Sequence, residues 1–252
     1  MSALSQADFY RKLHTGNPGD LEFYRRVVAG TSSVLELGCG SGRILLGIGE
    51  PGMRIVGVDD DANFIAQARK DWTGAEPAQF LVGDICDSTF SEAIGPEKFE
   101  RVLIPYNTLY ALGGLTRVQS CITLAAHHLS EDGELWLDVY PMDELQAAIE
   151  AGEELIDDDG KPVAVWEDNL QVYETTVMNS EQKHLKVTYE ARSGSGPPLA
   201  RLEMNHDYFI TSELRKILGT AGLDPIAEFG SFDGDPLDQN TSQVIFGAAH
   251  KE

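Results

Sequence analysis

The chain is short of positive charge. It has 19 lysines and arginines against 41 aspartates and glutamates, a formal net charge of −22 over 252 residues. A surface of that sign repels phosphate backbones, so nucleic acid is not an expected partner. Between Arg117 and Lys161 there is no lysine or arginine, while 12 acidic residues fall in the interval. Such a stretch is either a well-solvated acidic face, as in adaptation to high salt, or an attractor for a cationic amine. Cysteine is scarce as well. Cys39, Cys86 and Cys121 make an odd total of 3 with no ligand spacing, which fits reduced thiols in a cytoplasmic protein. No apolar run approaches the ~20 residues of a membrane span. The opening residues, Met-Ser-Ala-Leu-Ser-Gln-Ala-Asp, lack a basic region followed by an apolar core, so no secretory signal is expected. The sequence has no H-E-x-x-H, no C-x-x-C and no nucleophile elbow. His127 and His128 are neighbours on an expected helix and point in different directions, so no metal constellation is expected.

Glycine, by contrast, is concentrated where it carries information. Residues 33–43 open with an apolar run, Val34 to Leu37, that has the form of a buried strand. They continue through Gly38-Cys39-Gly40-Ser41-Gly42 into a helical pattern carrying Ile44, Leu45, Leu46 and Ile48. A strand turning through glycines into a helix is expected to leave backbone N–H groups facing open space, where a ligand can approach without meeting a Cβ. A dinucleotide fingerprint needs a third glycine where Arg43 stands, and a phosphate-binding loop needs Gly-Lys-Ser/Thr, which is missing. The order is E-x-G-x-G-x-G, from Glu36 to Gly42. It resembles the first motif of class I S-adenosylmethionine-dependent methyltransferases. The plain alternative is a βα turn that happens to be rich in glycine.

The resemblance implies a fold and a set of positions. The fold is α/β and Rossmann-like, a seven-stranded, mostly parallel sheet with helices on both faces and an antiparallel last strand. The alternation of strand-like and helix-like segments supports it independently. Glu36, Gly38, Cys39, Gly40, Gly42 and Arg43 become candidates for the cofactor turn. Met53 to Val58 form an expected second strand ending in Asp59, 19 residues beyond Gly40. A carboxylate there can accept from both ribose hydroxyls, the role the family gives this acid. Asp60 stands where many relatives carry an apolar residue against adenine, and Asp61 is placed to cap the next helix. Gln79 to Val82 form the third strand. Asp84 and Ile85 after it match the family's adenine-binding pair. Phe99 to Ile104 form the fourth strand and lead into Pro105, Tyr106, Asn107 and Tyr110. Pro105 and Tyr106 are candidates for the cofactor, and Asn107 and Tyr110 for orienting an acceptor, with turn capping the alternative for Asn107. Leu115 to Leu129 make the next helix and Gly133 to Tyr140 the fifth strand.

Four segments follow from this partition. Residues 1–32 are an N-terminal helical lid, residues 33–140 the cofactor-binding core, residues 141–210 an antiparallel β insertion attached to that core, and residues 211–252 a helix and hairpin completing it. In the lid, Asp20 is placed to cap a helix through Leu21, Phe23, Tyr24 and Val27. By resemblance, Tyr10, His14 and Tyr24 are candidates to meet the cofactor or substrate, Tyr10 being assigned to the cofactor; packing is the alternative for the tyrosines and a solvated loop for His14. The insertion holds a helical stretch, Met142 to Ala151, and three strand-like segments, Val163 to Val177, Leu185 to Ala191 and Leu199 to Phe209. Trp166, Tyr173, His206 and Tyr208 are candidates to face a substrate pocket. Thr211 or Ser212 is placed to cap the last helix and Gly222 to stop it.

The expected activity is transfer of a methyl group from S-adenosylmethionine to a small acceptor, leaving S-adenosylhomocysteine. No obvious base accompanies the site, His14 and His206 being the only histidines to nominate. That favours an amine acceptor, which needs only to be deprotonated. An oxygen or protein acceptor, or a cofactor-binding protein without catalysis, are the alternatives, and a dinucleotide oxidoreductase is disfavoured by Arg43. A monomer or homodimer is expected.

Overall fold

The computed structural model describes residues 6–74, 78–151, 160–194 and 196–251. The chain falls into two compact units. One, the core unit, runs from Gly16 to Pro141 and from Ile210 onward; the other, the insertion unit, joins residues up to Thr15 with Met142–Phe209. Part of the acidic run, residues 152–159, lies outside the described residues, as do Met1 to Ser5 of the opening sequence.

The core unit begins with helix α2 (Asp20–Val28), named in chain order after α1 of the other unit. Strand β1 (Ser33–Leu37) leads through the glycine turn to α3 (Arg43–Ile48), then come β2 (Arg54–Asp59), α4 (Ala62–Asp71) and β3 (Gln79–Val82). The short α5 (Ser91–Ile94), β4 (Phe99–Ile104), α6 (Leu115–His128) and β5 (Leu129–Val139) follow. After the insertion the unit closes with α8 (Thr211–Thr220), β10 (Leu223–Phe229) and β11 (Val244–His250). The strands form one seven-stranded sheet in the order β10-β11-β5-β4-β1-β2-β3. β1 is parallel to β2 and β4, β2 to β3, and β4 to β5, while β11 is antiparallel to both β5 and β10. This is the expected sheet with its antiparallel last strand.

The central strands are apolar on both faces because helices cover both. Val34, Leu35 and Leu37 of β1, Val56 and Val58 of β2, and Val102 to Ile104 of β4 are fully buried. Against them pack Ile44, Leu45 and Ile48 of α3, Phe23 and Tyr24 of α2, and Ile65 and Ala68 of α4. The strand order reverses between β1 and β4, the place where open α/β sheets leave a crevice at their strand ends.

The insertion unit is an antiparallel sheet, β6 (Ala164–Trp166), β7 (Leu170–Asn179), β8 (His184–Ser193) and β9 (Ala200–Asp207), with α1 (Gln6–Leu13) and α7 (Asp143–Glu150). Phe9 of α1 is fully buried with Val172, Ala191 and Leu202 and meets the Trp166 ring edge-on at 5.3 Å. That packing explains why the division falls after Thr15, rather than leaving residues 1–32 as one lid. It also gathers the insertion with α1 into one compact unit. The expected strand over Val163 to Val177 is two strands, broken by a 3-10 turn over Glu167–Asn169 in which Asn169 has φ 57°.

Two capping expectations are corrected. Asp20 is the first residue of α2 rather than its cap; Gly19, in left-handed conformation, precedes it. Its carboxylate is drawn off to the Asn17 amide at 2.9 Å and to Arg43. Likewise α8 starts at Thr211 with Ile210 as N-cap, and the Glu213 carboxylate accepts the Ile210 amide at 3.1 Å. Asp61 does cap α4, accepting the Asn63 amide at 2.7 Å. Gly222, with φ 78°, follows the end of α8.

Candidate active site

Four adjacent strands, β4, β1, β2 and β3, bring their C-terminal ends to one edge of the core sheet. The site residues taken from the core unit's strand–turn segments lie at or just beyond those ends: Glu36 and the glycine turn after β1, Asp59 and Asp60 after β2, Asp84 and Ile85 after β3, and Pro105, Tyr106, Asn107 and Tyr110 after β4; Tyr24 lies on α2.

The glycine turn is stiffer than its sequence suggested. The Gly38 and Cys39 amides both donate to the Val58 carbonyl, at 2.8 and 2.9 Å. The Gly42 amide donates to the Cys39 carbonyl, and the Gly40 amide to Asp59 Oδ2 at 2.8 Å. Four amides expected to face open space are therefore spent inside the turn. The glycines are still required. Gly38 has φ 77°, and a Cβ there would lie 2.4 Å from Thr108 Cγ2. Gly40 has φ 53°, and a Cβ would meet nothing within 4 Å, so this backbone borders open space.

Asp59 is held by both oxygens, Oδ2 by Gly40 and Oδ1 by the Asp61 amide at 3.0 Å. Burial raises its pKa, while those two amides pull it back. Each oxygen keeps a further lone pair for an incoming hydroxyl. Asp60 is exposed. Asp84 accepts the Cys86 amide at 2.8 Å and receives Arg117 Nη2 on both oxygens, at 3.0 and 3.1 Å; Ile85 beside it is buried.

Glu36 is the most telling group. It is 2% exposed, yet its Oε2 has no hydrogen-bond partner among the described residues. Burial raises its pKa to about 8, partly opposed by the nearby Arg43 charge and the Leu45 amide. Arg43, in turn, is bound to both oxygens of Asp20, at 3.1 and 2.7 Å, and its guanidinium lies 5.2 Å from the Tyr106 ring centroid. Tyr106 and Asn107 are consecutive non-glycine residues with φ 57° and 61°. Cys39 is buried, and burial raises its thiol pKa well above the ordinary value, so it is a packing residue rather than a nucleophile.

Asn107 and Tyr110 turn inward. Asn107 Oδ1 accepts the Tyr140 amide at 2.6 Å, and the Tyr110 hydroxyl, on a side chain 1% exposed, donates to the Tyr140 carbonyl at 3.2 Å. Both brace the main chain after β5. Pro105 is buried at the start of the same turn.

Tyr10, His14 and His206 belong to the insertion unit, where they form a cluster of their own. The His14 ring lies 4.5 Å from Tyr10 and 5.3 Å from Tyr189. Burial, with mutual repulsion from His206, lowers the His14 pKa to about 4. Burial and the nearby His184 lower the His206 pKa to the same value. His14 is thus no solvated histidine: at neutral pH both imidazoles are uncharged.

Two residues, Asp20 and Asp138, were not nominated for the site from the sequence. Asp20 is a 4%-exposed acid paired with Arg43, and Asp138 is a 1%-exposed acid one residue before the end of β5, bound by Tyr24 and Gln243. An aspartate between Leu137 and Val139 in an apolar strand was the available signal for Asp138. Arg43 carried no signal for its partner 23 positions away.

Residues 34–133 match the family model described as a methyltransferase domain. A search of curated protein sequences finds no match. Among solved structures, the CcbJ methyltransferase from Streptomyces caelestis is similar at 20% identity, with 99% of this chain and 98% of that one covered and a TM-score of 0.80. A sugar N-methyltransferase from a Streptoalloteichus species is similar at 19% identity, 97% and 92% coverage and TM-score 0.63. An S-adenosylmethionine-bound amino pentose methyltransferase from Micromonospora echinaspora is similar at 16% identity, 98% and 92% coverage and TM-score 0.56. Residues 34–133 match a methyltransferase-domain model, and the chain has the fold of solved S-adenosylmethionine-dependent methyltransferases.

Proposed function

We propose that the protein binds S-adenosylmethionine at the β1–β4 edge of the core unit and transfers its methyl group to a small-molecule amine. The observation that carries the proposal is Glu36: a buried carboxylate oxygen without a donor, beside a glycine turn whose backbone at Gly40 borders open space. A buried acceptor left unpaired costs free energy, and a ligand ammonium would remove that cost.

The residues fit the cofactor's groups one by one. Glu36 accepts from its ammonium. Asp59, already oriented by two amides, accepts from the ribose hydroxyls with its remaining lone pairs. Asp84 accepts from the adenine amino group, with Ile85 alongside; Gly40 keeps the approach clear, Gly38 and Gly42 let the turn pack against Thr108 and against Ala68 and Phe80, and Pro105 and Tyr106 bound it. Arg43 tempers the charge of Glu36. When bound, the cofactor supplies an activated methyl on a sulfonium. The protein's part is to position the acceptor and exclude water. We assign acceptor recognition to the insertion unit, with Tyr10, His14 and His206 as its candidates; their neutral imidazoles can accept a proton, though weakly. An amine acceptor is favoured by the acidic charge balance and by the sugar N-methyltransferase and amino pentose methyltransferase among the similar structures. The three free cysteines are in keeping with a reducing, cytoplasmic setting. No helix among the described residues is long and apolar enough to cross a membrane.

Calorimetry with S-adenosylmethionine and S-adenosylhomocysteine tests the reading, on the wild type and on Asp59→Ala. Micromolar binding that the substitution abolishes is expected, followed by methyl transfer in a screen led by amino sugars. A folded wild type that binds neither compound overturns it. Methylation only of hydroxyl compounds or of proteins would keep the cofactor site and replace the acceptor class.

A further inference from the structure

The most densely engaged side chain near the proposed site is one that the cofactor assignment does not use. Asp138 sits on β5, 1% exposed, and its two oxygens receive three donors from three separate segments. Tyr24 of α2 donates its hydroxyl to Oδ1 at 2.5 Å. The Tyr106 amide, just beyond β4, donates to the same oxygen at 3.1 Å. Gln243, 5% exposed and just before β11, donates its Nε2 to Oδ2 at 3.0 Å. The main-chain carbonyl of Asp138 also accepts the Asn107 amide at 3.0 Å.

The two amides held by Asp138 are those of the two left-handed residues. A bulky side chain at positive φ costs on the order of 1–3 kcal/mol and persists only where its surroundings fix it. What Tyr106 and Asn107 hold is the wall of the proposed cofactor site. The Tyr106 ring covers Arg43, its phenol is hydrogen-bonded to the Gly16 backbone, and the next residue, Thr108, fills the space a Gly38 side chain would need. We infer that Asp138 is a positioning residue of the methyl-transfer site, holding the Tyr106–Asn107 turn in its left-handed form against the glycine turn. This rests on the cofactor reading above for the site's function, but not for the geometry.

The carboxylate form is the one that can accept all three donors. Burial raises the Asp138 pKa to about 6, opposed by the Tyr24 and Tyr106 hydrogen bonds and by Arg43, with Asp20 adding to the rise. Glu36 and the Tyr106 phenol are also within electrostatic reach. Below that pH, Asp138 gains a proton and loses acceptor capacity, so the turn is held less firmly.

The test has two readouts. In the ligand-free wild type, the Tyr106 amide resonance is expected to titrate with a midpoint near that of Asp138. S-adenosylmethionine affinity is expected to fall about tenfold on acidification through the same range, a change of about 1.4 kcal/mol. Asp138→Asn turns one acceptor into a donor facing a donor; it is expected to weaken binding about tenfold or more and to erase both titrations. Tyr24→Phe keeps the buried ring, so it serves if Asp138→Asn does not fold. It is expected to weaken binding about threefold and to move the Tyr106 midpoint upward, because the lost hydrogen bond stabilised the ionised form. A packing role would lower the melting temperature and leave the titrations in place. A Tyr106 amide indifferent to pH in the wild type, or a folded variant with wild-type titration and affinity, overturns the inference. A wild type that binds no cofactor overturns the proposed function, and the amide titration still decides whether Asp138 holds the turn.

Discussion

The two units bury different balances of ionisable groups, although the core unit also encloses one imidazole, His128, at 1% exposure. The core unit encloses three carboxylates, Asp20, Glu36 and Asp138, at 4%, 2% and 1% exposure. The insertion unit encloses His206 at 6% and keeps its described carboxylates on or near the surface, as in Glu203 paired with Lys186 at 3.1 Å. Burying a carboxylate is expensive, so a site that collects three is built for something other than stability. Two of the three are fully partnered, by Arg43 and by the Tyr24–Gln243 pair; Glu36 is left with one oxygen open. The contrast separates a unit that buries mostly carboxylates from one that buries a neutral imidazole.

The largest expected break of that contrast is Gly38→Val. Strained φ and collision with Thr108 should cost the core unit about 4 kcal/mol, read as lost hydrogen-exchange protection there together with lost cofactor binding. Next is Phe9→Ala, which empties the centre of the insertion cluster. A loss of about 3 kcal/mol is expected, with protection falling in the insertion sheet and staying unchanged in β1–β5.

A pH series sharpens the comparison because the signs are opposite. Glu36 holds its proton in the folded state up to about pH 8, against 4.5 ordinarily. The folded core therefore binds more protons than the unfolded chain across that window, and its stability falls as pH rises through it. His14 and His206 reach about 4 in the folded state, against 6.5 ordinarily. There the unfolded chain binds more protons, and stability falls as pH drops from 6.5 to about 4. Local exchange measured at both ends should show each unit loosening at the opposite extreme, by on the order of 1–3 kcal/mol. Glu36→Gln should remove the core's alkaline loss and raise the dissociation constant for S-adenosylmethionine about a hundredfold. The smallest effect is expected from Arg201→Gln on the outer face of the insertion sheet, whose partner Glu203 is half exposed. A shift below about 0.5 kcal/mol is expected in chemical denaturation.

What could be read from the sequence follows from the range of the interactions involved. The β/α alternation, the last antiparallel strand and the Glu36–Gly42 motif are local patterns, and they led to the right sheet. Asp59 and Asp84 were nominated from the family's motif positions, and each lies at or just after the end of its strand. The errors arose where a side chain chose a distant partner over a near one. Asp20 has the residue type of a cap, yet a cation from the next helix binds it instead. Asn107 and Tyr110 also reach across the sequence, each bonding the Tyr140 main chain 30 or more positions away, a contact that local pattern does not announce. The split after Thr15 rests on Phe9 meeting strands over 150 residues later, and no periodicity within 6–13 could announce that.

The link between Asp138 and Gln243 spans 105 positions and has a consequence for synthesis. A ribosome delivers β1, the glycine turn, β2 to β5 and the whole insertion before β11 exists. Until residue 243 has left the exit tunnel, β5 has no partner on one side and its buried aspartate lacks a donor. The cofactor-binding edge is made early and finished late. During that interval an exposed strand edge is available for wrong pairings, and a contact of such sequence separation makes closure slow. A nascent chain released before that point would carry the complete glycine motif and still be the form most dependent on chaperones.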